Sequence, residues 1–324
     1  MFSVYNLEYF GDNLRKIRKN NRLTQKQVKN ISGINEETLR RIENGLVIPK
    51  YETLKILSHV YKENLLHILN ESMKQNQISI FYNQFDNLIN CYNLEDIKTA
   101  MCKLENTLSD FTSLNSLEPT DIAQLKAFVS CTSKYFNNNT NIKVLIQSLE
   151  SSIKLSLINF DLANFSKYNY NSLEIRCLLL IGLLLIKDKN ILKSLEVLKF
   201  CLTYLINQNV KSLDSKKVLI KLYFNISYNY HIIDNHYEAL KYANIGIQYS
   251  LSQHLIYCLS HLYFRKGIAE MYSDIKTFKT SLIKSIELFL IQDDIESAKL
   301  YYKVLLSQYK IDLDSSISYS DILK

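Results

Sequence analysis

At 324 residues the chain is long enough for two domains of ordinary size, and a hydrophobic fraction of 47% allows a sizeable core. Only 2 prolines and 6 glycines interrupt it, which favours long helices, and the longest apolar run, Cys177–Ile186, is too short to span a bilayer. The net charge of +7 is uneven: residues 1–70 hold 12 Lys and Arg against 7 Asp and Glu, whereas the rest holds 27 against 25, so only the first segment has the electrostatic footprint of a phosphate-binding module.

Five short helices are expected in that segment. Apolar Leu14 and Ile17 place the first, ending near Asn20 and Asn21. Thr24 is a good N-cap for the second, Gln25 to Ile31, with Val28 and Ile31 facing inward. Gly33 supplies the left-handed residue of a tight turn, and Asn35 caps a third helix, Glu36 to Asn44. There Leu39 and Ile42 face inward and Arg40 and Arg41 outward. Gly45 stops this helix, and Pro49 prevents its continuation. A fourth runs from Tyr51 to about Val60, and Asn64 caps a fifth through Leu69. Two short helices joined by a glycine-containing turn, within a basic five-helix unit, make a DNA-binding helix-turn-helix.

From residue 75 onward, apolar residues recur at helical spacing. Breaks are expected near residues 91–93, 113–119, 137–141, 167–171, 187–190, 208–214, 234–235, 292–294 and 312–316, where Asn, Asp, Ser and Lys cluster. Helix pairs of this length, repeated, suggest an α-solenoid. The clearest unit is Ile220–Gln253, where Ser227, Ala239 and Gly246 let helices approach closely; weaker copies surround Gly182, with Ser194 and Cys201, and Gly267. The fold class expected is all-α, with a helix-turn-helix domain over residues 8–70 and a helical-repeat domain over residues 75–324.

The segment Leu14–Tyr61, LRKIRKNNRLTQKQVKNISGINEETLRRIENGLVIPKYETLKILSHVY, closely resembles the phage-repressor (Cro/C1, or XRE) family. Arg18, Thr24-Gln25, Gly33, Ile34, Ile42-Glu43-Asn44-Gly45 and Pro49 fall where that family has its signature. The resemblance implies that the third helix enters the major groove of an operator, presenting Asn35, Glu36, Glu37, Thr38 and Arg41 to base edges. Arg41 suits a bidentate contact to guanine and Glu36 an acceptor role toward cytosine. Gln25 and Asn44 would lie against phosphates. Arg18 and Glu43 align with an ion pair that braces the first helix against the third. The bland reading of Glu36 and Glu37 is that they satisfy the helix N-terminus, and for Glu37 it is the favoured one.

Ile220–Gln253 resembles a tetratricopeptide repeat, with Tyr223, Ile226-Ser227, Tyr230, Tyr237-Glu238-Ala239 and Gly246-Ile247 at the places that repeat requires. The Gly182, Ser227 and Gly267 spacings of 45 and 40 are looser than the usual period of about 34. A repressor-like head followed by such repeats resembles the RRNPP family of peptide-responsive regulators. That resemblance implies a cytoplasmic homodimer whose concave repeat surface binds a short signalling peptide (quorum sensing) and shifts how the DNA-binding heads are held. Groove-facing positions of the repeat register fall on Lys221, Phe224, Asn225, Tyr228 and His231, on His261, Phe264, Arg265, Ile268 and Met271, and on Arg176 in the earlier copy. Of these, Arg176, Lys221, Phe224, Asn225, Tyr228, His261, Phe264 and Arg265 are the candidate peptide contacts. Asn225 suits a peptide backbone, Lys221 and Arg265 an anionic end, and the aromatics apolar side chains. Ordinary solvated or half-buried residues are the bland alternative.

No phosphate-binding glycine loop, HExxH or GxSxG occurs, so neither an enzyme nor a cofactor is expected. His254, Cys258 and His261, spaced as one helix face, could in principle ligate zinc, but a buried thiol between histidines is commoner. The 6 cysteines are scattered, and Met1–Phe10 shows no secretory pattern, so reduced thiols in the cytoplasm are expected. Two other functions stay open: a DNA-tethered repeat scaffold docking a folded protein partner, and a constitutive phage- or plasmid-type repressor.

Overall fold

The computed structural model describes residues 5–89, 118–136 and 141–313. They are all-helical, as the composition and periodicity anticipate, and fall into two compact units, residues 5–86 and residues 118–313.

In the first unit α1 (Leu7–Asn20) is capped by Asn6, whose side chain accepts from the Tyr9 N–H. Helix α2 (Gln25–Ser32) begins with a full capping box: Thr24 accepts from the Gln27 N–H, and Gln27 returns a bond to the Thr24 backbone. Gly33, at φ 73°, makes the left-handed turn into α3 (Glu36–Glu43). Helices α4 (Tyr51–Tyr61) and α5 (Leu65–Ile89) complete the unit. Phe10, Leu14, Val28, Leu39, Ile42, Leu54, Leu57 and Tyr61 form its core.

Two expectations are corrected here. Ile31 is 62% exposed rather than inward. Three residues place it about 60° around the helix from Val28, and neighbouring elements cover only the Val28 side. The fifth helix continues beyond Leu69 to Ile89 because no glycine or proline interrupts that stretch.

The second unit opens with α6 (Pro119–Phe136), α7 (Ile142–Lys154) and a 3-10 turn (Leu162–Lys167). Hairpins follow: α8 (Ser172–Lys187) with α9 (Ile191–Asn207), α10 (Leu213–Ile232) with α11 (His236–Ser252), and α12 (Leu259–Tyr272) with α13 (Phe278–Ile291). Helix α14 (Ile295–Val304) and a π-helical turn, Leu305–Tyr309, come last. The first helices of successive hairpins touch, α8 against α10 and α10 against α12, which is the stacking of a solenoid.

Three turns share one design. Lys189, Asp234 and Asp293 take left-handed φ values of 60°, 56° and 57°, and the next residue, Asn190, Asn235 or Asp294, caps the following helix. Side-chain caps and these left-handed residues replace the glycines the chain lacks. Inside the hairpins, the Ser194 hydroxyl donates to the Gly182 carbonyl at 2.8 Å and Ser227 to the Ala239 carbonyl at 2.7 Å. The Asn229 amide links the hairpins by donating to Ser194 Oγ at 2.7 Å.

Breaks at 167–171, 187–190, 208–214, 234–235 and 292–294 coincide with helix ends. The one expected at 91–93 lies outside the described residues, and those at 113–119, 137–141 and 312–316 lie partly outside them. Breaks at 253–258 and 273–277 were not expected. The first reads as an apolar stretch, yet His254 and Cys258 both take left-handed φ, 54° and 51°. His254 and Cys258 therefore precede α12, and the premise that they share a helix face with His261 is wrong.

Candidate nucleic-acid interface and ligand-binding face

Helix α3 is held from below by one buried carboxylate, Glu43. Glu43 Oε1 accepts from Arg18 Nε at 2.6 Å, and Oε2 accepts from Arg18 Nη2 at 2.8 Å. The Arg18 guanidinium also donates to the Leu23 carbonyl at 2.9 Å, tying α1, α3 and the turn before α2 together. Hydrogen bonding to Glu43 raises the Arg18 pKa above its ordinary range. Gln25 joins this network: its Nε2 donates to Glu43 Oε2 at 2.9 Å. The structure thus aims the Gln25 side chain at Glu43, not outward to where a phosphate was expected.

Two residues that sequence reasoning missed complete the support. Arg15 donates to the Glu43 carbonyl at 2.9 Å and to Asn44 Oδ1 at 2.6 Å, so it orients Asn44. Gly11 lets α1 approach the end of α3, since a Cβ there would lie 2.6 Å from the Glu43 carbonyl oxygen. A glycine inside a helical pattern, with two arginines three residues apart on one face, was the available signal.

Along α3, Asn35 is the N-cap, accepting from the Glu37 N–H at 3.1 Å. Arg40 grips the Glu37 carboxylate with Nε at 2.8 Å and Nη2 at 2.6 Å, which holds Glu37 below the usual carboxylate range. Glu37 is therefore engaged with Arg40, a partner that neither sequence reading anticipated. Glu36 stands 3.6 Å from Lys29 Nζ. Thr38, Arg41 and Asn44 are exposed, as is the Asn35 cap, so one face of α3 offers amide, hydroxyl and guanidinium groups together.

In the repeat unit, the register places Lys217, Lys221, Phe224, Tyr228 and His231 on one face of α10. That face meets α12. The Arg265 guanidinium carbon lies 4.6 Å from the Tyr228 ring centroid and 5.6 Å from that of Phe224, and Phe224 packs edge-on to His261. Asn225 donates to the Lys221 carbonyl of its own helix at 2.8 Å. At the far end Tyr309 bonds His231 Nε2 at 3.2 Å. At the near end lies a cavity of about 340 Å³.

Three of the eight candidate peptide contacts are corrected to buried positions. Phe264 is 1% exposed, Arg176 4% and His261 7%. The repeat register identifies a face but not what folds back over it. Tyr301 of α14 packs on Phe264 at 4.6 Å between ring centroids, and Phe289 of α13 packs on His261 at 5.0 Å. Ile268 joins the same core. Burial, aided by Arg265 and Lys221, lowers the His261 pKa to about 3, so its ring is neutral. Lys221, Phe224, Asn225, Tyr228 and Arg265 stay half-buried and accessible. Cys131, Cys177 and Cys201 are free and buried, and no described helix is long and apolar enough to cross a membrane.

Residues 14–68 match the HTH_3 family of helix-turn-helix domains. No curated protein sequence matches the chain. Among solved structures, the chain is similar to Bacillus thuringiensis PlcR in complex with the peptide PapR7 and DNA: TM-score 0.57, 16% identity, 93% of this chain and 100% of that one covered. PlcR in its apo form gives a TM-score of 0.54 at 15% identity, covering 91% and 98% of the two chains. The protein therefore carries an XRE-type helix-turn-helix domain of the HTH_3 family at its amino-terminal end and, across the chain, the all-helical fold that PlcR has.

Proposed function

We propose that the protein is a cytoplasmic, homodimeric transcription regulator that binds operator DNA through α3 and is controlled by a short signalling peptide bound on the α10–α12 face of its repeat unit. The observation that carries this reading is one chain that joins a braced helix-turn-helix, with Arg41 exposed on its third helix, to a half-buried strip of cations and aromatic rings. PlcR, whose fold the chain shares, has been solved with both a peptide and DNA.

In this reading Arg41 reads guanine through two parallel hydrogen bonds, and Asn35, Thr38 and Asn44 contact neighbouring groups. Arg18 and Glu43 set the pitch of the helix and touch no DNA. Lys and Arg on the first unit meet phosphates, so affinity falls steeply as salt rises. On the other unit, Asn225 turns its carbonyl oxygen to a peptide N–H while Phe224 and Tyr228 hold side chains.

The test is a fluorescence-anisotropy titration against duplexes enriched from a random pool, repeated at several salt concentrations and with a random heptapeptide pool. A selected duplex bound far more tightly than random sequence, with an affinity the peptide pool changes, is the expected result. Equal affinity for all duplexes overturns the DNA assignment. Selective DNA binding that no peptide alters overturns the peptide assignment.

A further inference from the structure

Helix α3 opens with two acids, Glu36 and Glu37, on a helix whose DNA partner would carry one negative charge per phosphate. Neither acid stands alone. Glu36 lies 3.6 Å from Lys29 Nζ of α2. Glu37 is held more firmly: the Arg40 guanidinium donates to its two oxygens at 2.8 Å and 2.6 Å, the forked geometry of a bidentate pair. This bonding raises the Arg40 pKa and lowers that of Glu37, so both groups stay charged at neutral pH. Arg41, one residue on, feels the same carboxylate through space, but the bonds go to Arg40.

The pair lies at the surface, with the Glu37 side chain 57% and the Arg40 side chain 54% exposed, about one turn apart on α3. Exposed pairs of this kind add little to folding, so stability does not account for the carboxylate. What the pair changes is the charge that α3 presents. A released Arg40 could meet a phosphate of any duplex, and phosphate contacts carry no sequence information. Bonded to Glu37, its charge is cancelled at hydrogen-bond distance. A phosphate that took Arg40 away would leave the Glu37 carboxylate stranded beside the DNA backbone, so the exchange gains little.

We propose that Glu37 determines specificity without reading a base: it withholds Arg40 from the phosphates and so restrains the grip of α3 on random DNA. On random sequence the head can shift until a released Arg40 finds a phosphate, and such contacts supply essentially all of the binding. On a selected duplex the base contacts of Arg41 fix its position. Discrimination is a difference between two affinities, and Glu37 acts on the weaker of them. The inference rests on the DNA reading and deepens it.

The test is a fluorescence-anisotropy titration of the full chain over a series of salt concentrations, with a random duplex and a duplex enriched from a random pool. Glu37→Gln removes the carboxylate and keeps a good helix former. On random duplex it should bind about three- to tenfold more tightly, and log K should fall more steeply with log salt by about 0.9, the mark of one further phosphate contact. Its preference for the enriched duplex should shrink. Arg40 must be the cause, so the E37Q/R40Q variant should return to the wild-type slope. An unchanged slope in E37Q overturns the inference. So does a steepening that persists in E37Q/R40Q, which is the loss of a negative charge alone. Weaker binding of the enriched duplex by E37Q, with random binding unchanged, also overturns it, because Glu37 then reads a base. The same titrations separate the inference from the reading beneath it. If the wild type prefers the enriched duplex while E37Q keeps its slope, the restraint falls and DNA recognition stands. If neither protein prefers any duplex, DNA recognition falls and the inference with it.

Discussion

Replacing Glu43 by Ala should unfold the helix-turn-helix unit well before it affects base preference. The side chain is 1% exposed and that of its partner Arg18 12%. Its two oxygens hold three donors: Arg18 Nε, Arg18 Nη2 and Gln25 Nε2. Deleting the carboxylate leaves a largely buried guanidinium without its counter-charge, which costs about 3–5 kcal/mol. Set against a typical domain stability of about 5–15 kcal/mol, that is a large fraction. A domain of this size loses about 4–8 °C of Tm per kcal/mol, so the first unit's midpoint should fall by more than about 12 °C. Circular dichroism or calorimetry on the full chain reads this, with the repeat unit's transition unmoved. Replacing both partners, Arg18→Met with Glu43→Leu, should recover much of the loss, because no charge is then stranded. A loss below about 1 kcal/mol for Glu43→Ala would refute the brace. So would a double variant worse than the sum of the singles.

Arg41→Ala should leave the fold intact and lower the preference for a selected duplex over its scrambled form by about 1–3 kcal/mol; an unchanged ratio in a competition titration counts against base reading. Asn225→Ala should keep the fold and abolish the response to an active peptide, and calorimetry giving the same peptide affinity would remove Asn225 from the site. At Gly246 a Cβ would lie 2.9 Å from both Tyr223 Cβ and Leu262 Cδ2. Gly246→Ala should therefore destabilise the repeat unit by about 1–2 kcal/mol despite a better helix propensity, and a stabilised variant in urea unfolding contradicts the close packing. The last prediction concerns acid. The unfolded chain protonates His261 near pH 6.5, the folded chain not until about pH 3. Stability is thus intact above pH 6.5 and lost as pH falls toward 3, by up to about 1.4 kcal/mol per unit. His231, lowered to about 4 mainly by burial, adds in the same direction. His261→Phe should flatten the slope in urea unfolding between pH 6.5 and 5, and an equally steep slope would contradict its burial as a neutral group.

What local chemistry controls was legible in the sequence. Thr24, Asn35, Asn190 and Asn235 cap helices because their side chains reach the next turn's N–H groups, and Gly33 turns the chain because it lacks a Cβ. At Asn190 and Asn235 only a break was expected, and each proves to cap the helix that follows. The all-helical class and the placing of Arg18 beside Glu43 could be reached from spacing and resemblance. What came only from the tertiary structure depends on residues far apart in the chain. Arg15 reaches Asn44 and Gly11 admits α3 through contacts about thirty residues long. Gln25 turns to Glu43 because a buried carboxylate has a lone pair to fill. Phe264 and His261 lie in the core because α13 and α14 fold back over them. A repeat register places a side chain on a face of its own helix; whether that face meets solvent, ligand or another helix is set by packing between elements, and no local pattern encodes it.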